Sequence, residues 1–108
     1  MTIQNKQICS NFVQGIDLKQ ANRNLFLEDR QGIIVIYSYG YHFPMGIKLL
    51  DGTILINKNK YSRTTSKQQT LLKSELGYKD FLEFTTIELK EIILKGIKTK
   101  LELTEQKL

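Results

Sequence analysis

The hydrophobic residues of this chain fall in short runs between turn-forming residues, as in a small sheet packed by helices. The strongest run, residues 33–39 (IIVIYSY), is rich in β-branched and aromatic side chains and begins with consecutive apolar positions. It predicts a central strand, because a strand covered on both faces buries the side chains of both. Residues 24–28 predict a shorter strand before it, and residues 29–32, which end in Gly32, predict the turn between the two.

Residues 45–58 predict a β-hairpin around Asp51 and Gly52. Two apolar segments flank this Asp-Gly pair, which is typical of a two-residue type I′ turn. Such a turn would set Leu49 opposite Ile54. One face of the hairpin would then be apolar, with Ile47, Leu49, Ile54 and Ile56. The other face would be mixed, with Lys48, Leu50, Thr53 and Leu55.

Two helices are predicted after the hairpin. Thr65 and Gln68 have the spacing of a capping box, and the helix that they begin would contain Leu71, Leu72 and Leu76 and end at Gly77. A second helix would cover residues 87–95, capped by Thr86 and ended by Gly96. Its apolar stripe would hold Leu89, Ile92 and Ile93, with Leu94 as a candidate fourth member.

Three stretches carry a weaker pattern. Residues 1–22 fit either a strand or a loose helix, and residues 80–84 fit either a strand or a helix. The tail, from residue 98 onward, alternates apolar and polar positions at Leu101 and Leu103. It would form a last edge strand or fray.

The elements together predict an α+β fold, a small antiparallel sheet of three to four strands with a central β-hairpin, packed by two helices. A chain of 108 residues has room for a single domain, residues 1–108, and we expect residues 1–10 and 104–108 to fray. One cysteine excludes an internal disulfide and indicates a reducing compartment. No signal-peptide pattern and no run long enough to span a bilayer occur, so we expect a cytoplasmic protein without a membrane partner.

The positive charge is concentrated in one segment. Residues 48–73 contain six cations, with Asp51 as their only acid, and so account for the whole net charge of +5. Such asymmetry indicates an anionic partner for the segment. A solvated, lysine-rich face that serves solubility is the alternative interpretation.

A candidate binding site follows from this charge. Residues 57–67 (NKNKYSRTTSK) join a strand end to a helix N-terminus, where free N–H groups and hydroxyls can bind phosphate or carboxylate oxygens. The hydroxyls could equally serve only as helix caps. The residues that we expect to bind a partner are Lys48, Lys58, Lys60, Tyr61, Arg63, Thr64 and Lys67, together with Tyr41, His42 and Phe43 of the preceding bend.

The aromatic stretch YSYGYHFP at residues 37–44 can be interpreted in two ways. Its tyrosines could stack on unpaired bases. However, Tyr37 and Tyr39 alternate with Ser38 along a strand, so they share one face and are expected in the core. Tyr41, His42 and Phe43 are expected to form an exposed bend beside the basic segment.

The sequence offers little for catalysis. Cys9 and His42 are the only thiol and imidazole, and no spacing ties them together. Glu88 and Glu91 have the spacing of solvated charges in the first turns of a helix. No glycine-rich phosphate loop and no metal-ligand spacing occur, so we expect no enzyme, no metal and no cofactor.

The segment VIYSYGYHFPMGIKL…ILINKNKYSRTTSKQQ resembles a family of small phage- and plasmid-encoded domains of unknown function. The shared pattern is V-Y-S-Y-x-x-x-x-P, a strand ending in Asn, then Y-S-x-T-T-S-K-H-Q, over about residues 33–69. The residues that fill it are Tyr37, Ser38, Tyr39, Pro44, Asn57, Tyr61, Ser62, Thr64, Thr65, Ser66, Lys67 and Gln69. Gln68 stands where the family often has His. The resemblance implies a mobile-element accessory protein and supplies no activity.

These observations predict a non-enzymatic protein of a mobile element that binds and inhibits a host nucleic-acid machine. Its sharpest form is an anti-CRISPR-type inhibitor of an RNA-guided nuclease. Its partner would be a host effector protein or ribonucleoprotein nuclease in the bacterial cytoplasm, contacted in part through RNA or single-stranded DNA phosphates. Duplex mimicry would need an acidic chain. The alternatives are a direct single-stranded DNA- or RNA-binding module and a small enzyme using His42. The oligomeric state would be monomer or homodimer.

Overall fold

The computed structural model describes residues 3–60 and 62–105. Within these residues the protein is an α+β domain, in which a five-stranded sheet carries helices on both faces. The strands are β1 (Leu25–Arg30), β2 (Ile33–Ser38), β3 (Pro44–Lys48), β4 (Ile54–Asn57) and β5 (Leu82–Phe84). The helices are α1 (Asn5–Gln14), α2 (Arg63–Leu76), α3 (Thr86–Lys95) and α4 (Lys100–Glu105). None of the described helices is long and apolar enough to cross a membrane.

The strands lie in the sheet in chain order, β1 to β5. The first four pair antiparallel, which confirms the expected small antiparallel sheet and the hairpin within it. β5 pairs parallel with β4, so the sheet has five strands, where three to four were expected, and is mostly antiparallel. The reason for the parallel pair is the connection: α2 separates the two strands, and a helical crossover returns the chain in the same direction. Residues 80–84, whose pattern left strand and helix open, supply this edge strand.

The register of the β3–β4 hairpin differs by one residue from the expected one. Lys48 lies opposite Ile54, because the loop has three residues instead of two. The N–H of Gly52 donates to the carbonyl of Leu49 at 2.9 Å, and Gly52 has a φ of 92°. This is a type I turn closed by a left-handed residue, the usual three-residue loop. The type I′ turn expected at residues 51–52 is therefore wrong.

The one-residue shift places the side chains of β4 on the opposite faces, relative to those of β3, from the faces expected. Ile54 and Ile56 pack under α1 and α2, whereas Ile47 and Leu55 pack under α3 and α4. Both faces of the sheet are consequently buried. The sheet is the middle layer of three, which explains why β2, β3 and β4 are apolar almost throughout.

A type I′ turn does occur, but between β1 and β2. Gln31 and Gly32 have φ values of 56° and 99°, and Arg30 pairs with Ile33 across the two-residue loop. The carboxylate of Asp29 accepts the N–H of Gly32 at 2.9 Å. This geometry fixes which residues lie beside the end of β2.

The first and last elements of the described residues are helices. Residues 5–10, which we expected to fray, form the first half of α1, and Ile8, Cys9 and Phe12 are fully buried in it. The tail forms α4 instead of an edge strand. Leu103 is buried beneath it, while Leu101 is exposed.

Both predicted helices exist, but their first residues differ from the expected ones. The N-cap of α3 is Thr85 instead of Thr86, and Leu94 is 86% exposed, so it does not belong to the apolar stripe. α2 begins three residues earlier than expected, with Ser62 as its N-cap. Thr65 and Gln68 form no capping box, because both side chains are buried against the sheet.

Candidate functional site

One end of the sheet collects most of the candidate residues. β2 and β4 run in the same direction, so their last residues lie at the same end, where α2 and α3 begin. The N–H of Lys58 donates to the carbonyl of Phe84 at 2.9 Å, which brings the end of β5 there too. We call this surface the basic end and define it by residues 39–43, residues 58–60 and the first turns of α2 and α3.

Asn57 ties the basic end together from inside. Its side chain is 1% exposed. Its amide donates to the carbonyl of Pro44 at 2.8 Å and to the hydroxyl of Thr86 at 2.9 Å, and its oxygen accepts the N–H of Asn59 at 2.8 Å. One side chain therefore joins the start of β3, the start of α3 and the loop after β4.

Two glutamines of α2 complete this buried network. Gln69 donates to the carbonyls of Asn57 and Asn59, at 3.0 and 2.7 Å. Gln68 accepts the hydroxyl of Ser38 at 2.5 Å, which binds the second turn of α2 to the end of β2. The amide nitrogen of Gln68 is buried and has no acceptor among the described residues. These contacts hold the helix start at a fixed place beside the strand ends.

The N-terminus of α3 is largely satisfied by side chains of the protein itself. Thr85 and Glu88 form a capping box, with the N–H of Thr85 donating to the carboxylate at 2.8 Å and the N–H of Glu88 donating to the hydroxyl at 3.2 Å. The next N–H, of Thr86, donates to the side chain of Asn59 at 2.7 Å. The backbone N–H of Thr85, then its hydroxyl, and the charge of Lys58 lower the pKa of Glu88.

The N-terminus of α2 is much less satisfied. The hydroxyl of Ser62 accepts the N–H of Thr65 at 3.2 Å. No described group accepts the N–H of Arg63 or of Thr64, and the first turn contains no acid. Arg63 occupies the first helical position, where a cation faces the positive end of the helix dipole. This end therefore combines free donors with unbalanced positive charge.

The cations of the basic end are exposed and have no ion pair within the described residues. The ion pairs that residues 3–60 and 62–105 do form are Arg30–Glu28 and Lys73–Glu83, both elsewhere. The exposed cations at this end are Lys58, Lys60, Arg63 and Lys67, and Thr64 is exposed among them. Four of the six cations of residues 48–73 thus gather around one helix start.

Two expected site residues, Lys48 and Phe43, do not join this group. Lys48 lies at the other end of β3, where its ammonium donates to the carbonyl of Val13 at 2.7 Å. Burial, and then the charge of Lys79, lower the pKa of Lys48. Phe43 is 3% exposed and belongs to the core beneath α1 and α2, so the expected exposure of this residue is wrong. Tyr61 lies outside the described residues.

The tyrosines divide differently from the prediction. Tyr37 is a core residue, as expected, and stacks on Phe26 with ring centroids 5.1 Å apart. Tyr39 is 46% exposed, so its expected core position is wrong. The reason is that β2 ends at Ser38, and Tyr39 turns into the left-handed region with a φ of 65°. Tyr41 is exposed, as expected.

His42 lies in the exposed part of the bend. Its ring packs over Gly40, where an added Cβ would lie 2.9 Å from the Nδ1 atom of His42. Cys9 is buried in α1, and burial together with the charge of Glu75 raises the pKa of its thiol to about 12. A protonated, buried thiol is a poor nucleophile. The described residues contain no cluster of three His, Cys, Asp or Glu side chains that could hold a metal ion.

Asn59 in the basic end, and Arg23 beside it, were not identified from the sequence. Arg23 is exposed next to Asn24, whose carbonyl accepts the N–H of Tyr39 at 2.8 Å. Asn59 supplies the acceptor for the start of α3. The position of Arg23 could have been found, because the two-residue turn after Arg30 sets the pairing that brings Asn24 opposite Tyr39. The role of Asn59 depends on tertiary contacts and has no sequence pattern.

No family model, no curated protein and no solved structure matches this chain. Ten of the twelve residues that carry the phage and plasmid resemblance fall into two groups in the structure, whereas Ser66 is half-buried and Tyr61 lies outside the described residues. Those of the first group are buried and hold the fold: Tyr37, Ser38, Pro44, Asn57, Thr65 and Gln69. Those of the second group are exposed at the basic end: Tyr39, Ser62, Thr64 and Lys67. The pattern therefore includes residues that stabilise the fold and residues that are exposed at the basic end.

Proposed function

We propose that this protein is a non-enzymatic interaction protein of a mobile element, which docks its basic end onto an anionic surface of a host nucleic-acid machine. Its sharpest form is an anti-CRISPR-type inhibitor that covers phosphates or an acidic patch of an RNA-guided nuclease. The mobile-element setting is supported by the sequence resemblance alone. The docking surface is supported by the geometry.

The observation that carries the proposal is the start of α2. Arg63 stands at the first position of a helix that lacks an acid in its first turn, and Lys58 and Lys60 lie in the loop that precedes it. Cations placed there lower the stability of the helix unless an anion balances them. Residues that break a local rule in this way commonly serve a function.

A partner-capture experiment tests the proposal. Tagged protein would be used to capture complexes from a bacterial host extract, and purified RNA-guided nucleases would be assayed for cleavage in its presence. We expect capture of a nucleoprotein and inhibition of cleavage. The triple variant Lys58→Gln, Lys60→Gln, Arg63→Gln should lose both, because it removes the charges of the docking surface.

The matched control is Lys19→Gln, Lys79→Gln, Lys95→Gln. It removes the same number of exposed charges outside the basic end. If the control loses capture as fully as the first variant, only the net charge matters and the docking surface is wrong. If neither variant loses it, the basic end is not the interface.

A further inference from the structure

Two exposed tyrosines stand beside the cations of the basic end, and the proposed function does not use them. Tyr39 and Tyr41 are 46% and 62% exposed, in the loop that follows β2. The backbone of Tyr39 adopts a left-handed conformation that residues other than glycine rarely adopt, and its N–H is bonded to the carbonyl of Asn24. An exposed aromatic side chain at a strained position indicates a role for the ring outside the core.

The ring of Tyr41 is fixed, although more than half of the residue is exposed. It meets Phe26 edge-on with ring centroids 5.1 Å apart and an interplanar angle of 76°. It meets Tyr37 at 4.9 Å and 68°. Two stacked aromatic rings thus support a third. A ring that is already ordered loses little conformational freedom when a ligand stacks on it.

In the order of the strands, the loop that carries the tyrosines lies between Arg23, before β1, and the two lysines that follow β4. Arg23 is next in the chain to Asn24, which is bonded to Tyr39. Lys58 and Lys60 follow β4, two strand spacings from β2, which corresponds to about 10 Å. The nearest carboxylate that the contacts place at this end, Glu88, is engaged in its own capping box. The tyrosines and these cations therefore lie at the same end of the sheet, and the cations form no ion pair within the described residues.

We propose that the basic end binds unpaired nucleotides of single-stranded RNA or DNA. Bases stack on Tyr39 and Tyr41, while Arg23, Lys58, Lys60 and Arg63 contact the phosphates. This inference rests on the proposed function and names the chemistry of its anionic partner. Unpaired bases offer open faces to aromatic side chains, whereas the base faces of a duplex are stacked on one another. An acidic protein patch would engage the cations and leave the rings unused.

The test compares single-stranded with double-stranded oligonucleotides, and the wild type with tyrosine variants, in one binding assay. Fluorescently labelled oligo-U, oligo-dT and a duplex of equal length would be titrated with the protein and followed by anisotropy at several salt concentrations. We expect the single strands to bind more tightly than the duplex. Replacing both tyrosines, as Tyr39→Gly with Tyr41→Ala, should weaken single-strand binding about tenfold or more. The charge variant at Lys58, Lys60 and Arg63 should reduce the salt slope by about 2.

Three variants separate recognition from folding. Tyr39→Gly alone removes the ring and the steric cost of the left-handed conformation, so we expect it to keep the fold, as thermal unfolding would check. Tyr41→Phe keeps the ring and should bind as the wild type does. Tyr78→Ala removes an exposed tyrosine just beyond the C-terminal end of α2, away from the basic end, and should change nothing.

The inference is overturned if the duplex binds as tightly as the single strands, or if the tyrosine variants bind unchanged. It is also overturned if no oligonucleotide binds. In each of these cases the proposed function can stand, because capture of a nucleoprotein through the basic end is measured separately. Loss of the proposed function would instead appear as capture that is insensitive to the charge variant.

Discussion

α2 and α3 begin side by side at the same end of the sheet, yet their N-termini are treated in opposite ways. At α3 three backbone N–H groups donate to side chains, namely those of Thr85, Glu88 and Asn59. At α2 a single serine caps the helix, and an arginine occupies the first turn. The difference teaches that this fold can cap a helix start with its own side chains, including an acid. The open, cationic start of α2 is therefore a feature that an outside anion explains better than stability does.

The segment between the two helix starts takes part in both. Asn57 and Asn59 receive the side chain of Gln69 from α2 and also bond Thr86 of α3. The same short segment therefore positions both helix starts, so the difference between them lies in their own capping residues. Substitutions at the shared segment should affect the whole end, and those at one cap should affect one helix.

The largest effect is expected from Asn57→Ala. The change leaves the buried carbonyl of Pro44 and the partly buried N–H of Asn59 without their partner, and it removes the bond to Thr86. We expect the free energy of unfolding to fall by about 2–4 kcal/mol, as for buried groups left unpaired. Denaturant titration measures it. A loss below about 1 kcal/mol would show that the network does not hold the basic end.

Removing the cap of α3 should lower the free energy of unfolding more than removing the cap of α2. Thr85→Ala removes a hydroxyl and disrupts a reciprocal pair with Glu88, so the loss should be about 1–2 kcal/mol. Ser62→Ala removes the acceptor of the N–H of Thr65, at 3.2 Å, and the donor to the hydroxyl of Thr65, at 3.1 Å, and should cost about 0.5–1 kcal/mol. Thr85→Ser should restore most of the stability. If Ser62→Ala costs more than Thr85→Ala, the distinction between a closed and an open helix start fails.

Acid should weaken the cap of α3, because the carboxylate of Glu88 contributes to that cap only when it is charged. The pKa of Glu88 is lower in the folded protein than in the unfolded chain, because the N–H of Thr85 binds the carboxylate. The stabilisation is complete above the unfolded value of about 4.3 and is lost as the pH falls through the folded value. We expect Glu88→Gln to cost about 0.5–1 kcal/mol at neutral pH and almost nothing in acid. A cost that does not change with pH would contradict a charged cap.

Much of this architecture could be predicted from local patterns. The apolar run of β2, the turn before it and the two central helices follow from periodicity and turn residues. The register of the β3–β4 hairpin could not be predicted in this way. Asp51 accepts the N–H of Lys100 at 2.9 Å, and Leu50 donates to the carbonyl of Lys98. Contacts with a segment about 50 positions away thus help to hold the longer loop, and no local pattern contains them.

The sequence predicted where the cations of the candidate site lie, but it did not predict which residues cap the two helices. Ser62 and Thr65 are both good N-cap residues, and the choice between them depended on which face of the helix would be buried. Gln68 and Gln69 look like solvent-facing residues, but they bond Ser38 and Asn57 across the sheet. Buried polar contacts of this kind carry little periodic pattern. The exposed cations needed no such contacts, which is why their position was the more predictable part.

The smallest expected effect is the one that bears most directly on function. Arg63→Glu gives α2 the first-turn acid that α3 already has, so the free energy of unfolding should rise by about 0.5 kcal/mol. Lys90→Glu, an exposed change in the interior of α3, is the matched control and should leave the stability almost unchanged. Thermal unfolding at low salt measures both. Because the same change puts a negative charge where an anion would bind, Arg63→Glu should stabilise the protein and weaken its binding together. A gain in stability without loss of binding would mean that this helix start is merely poorly capped.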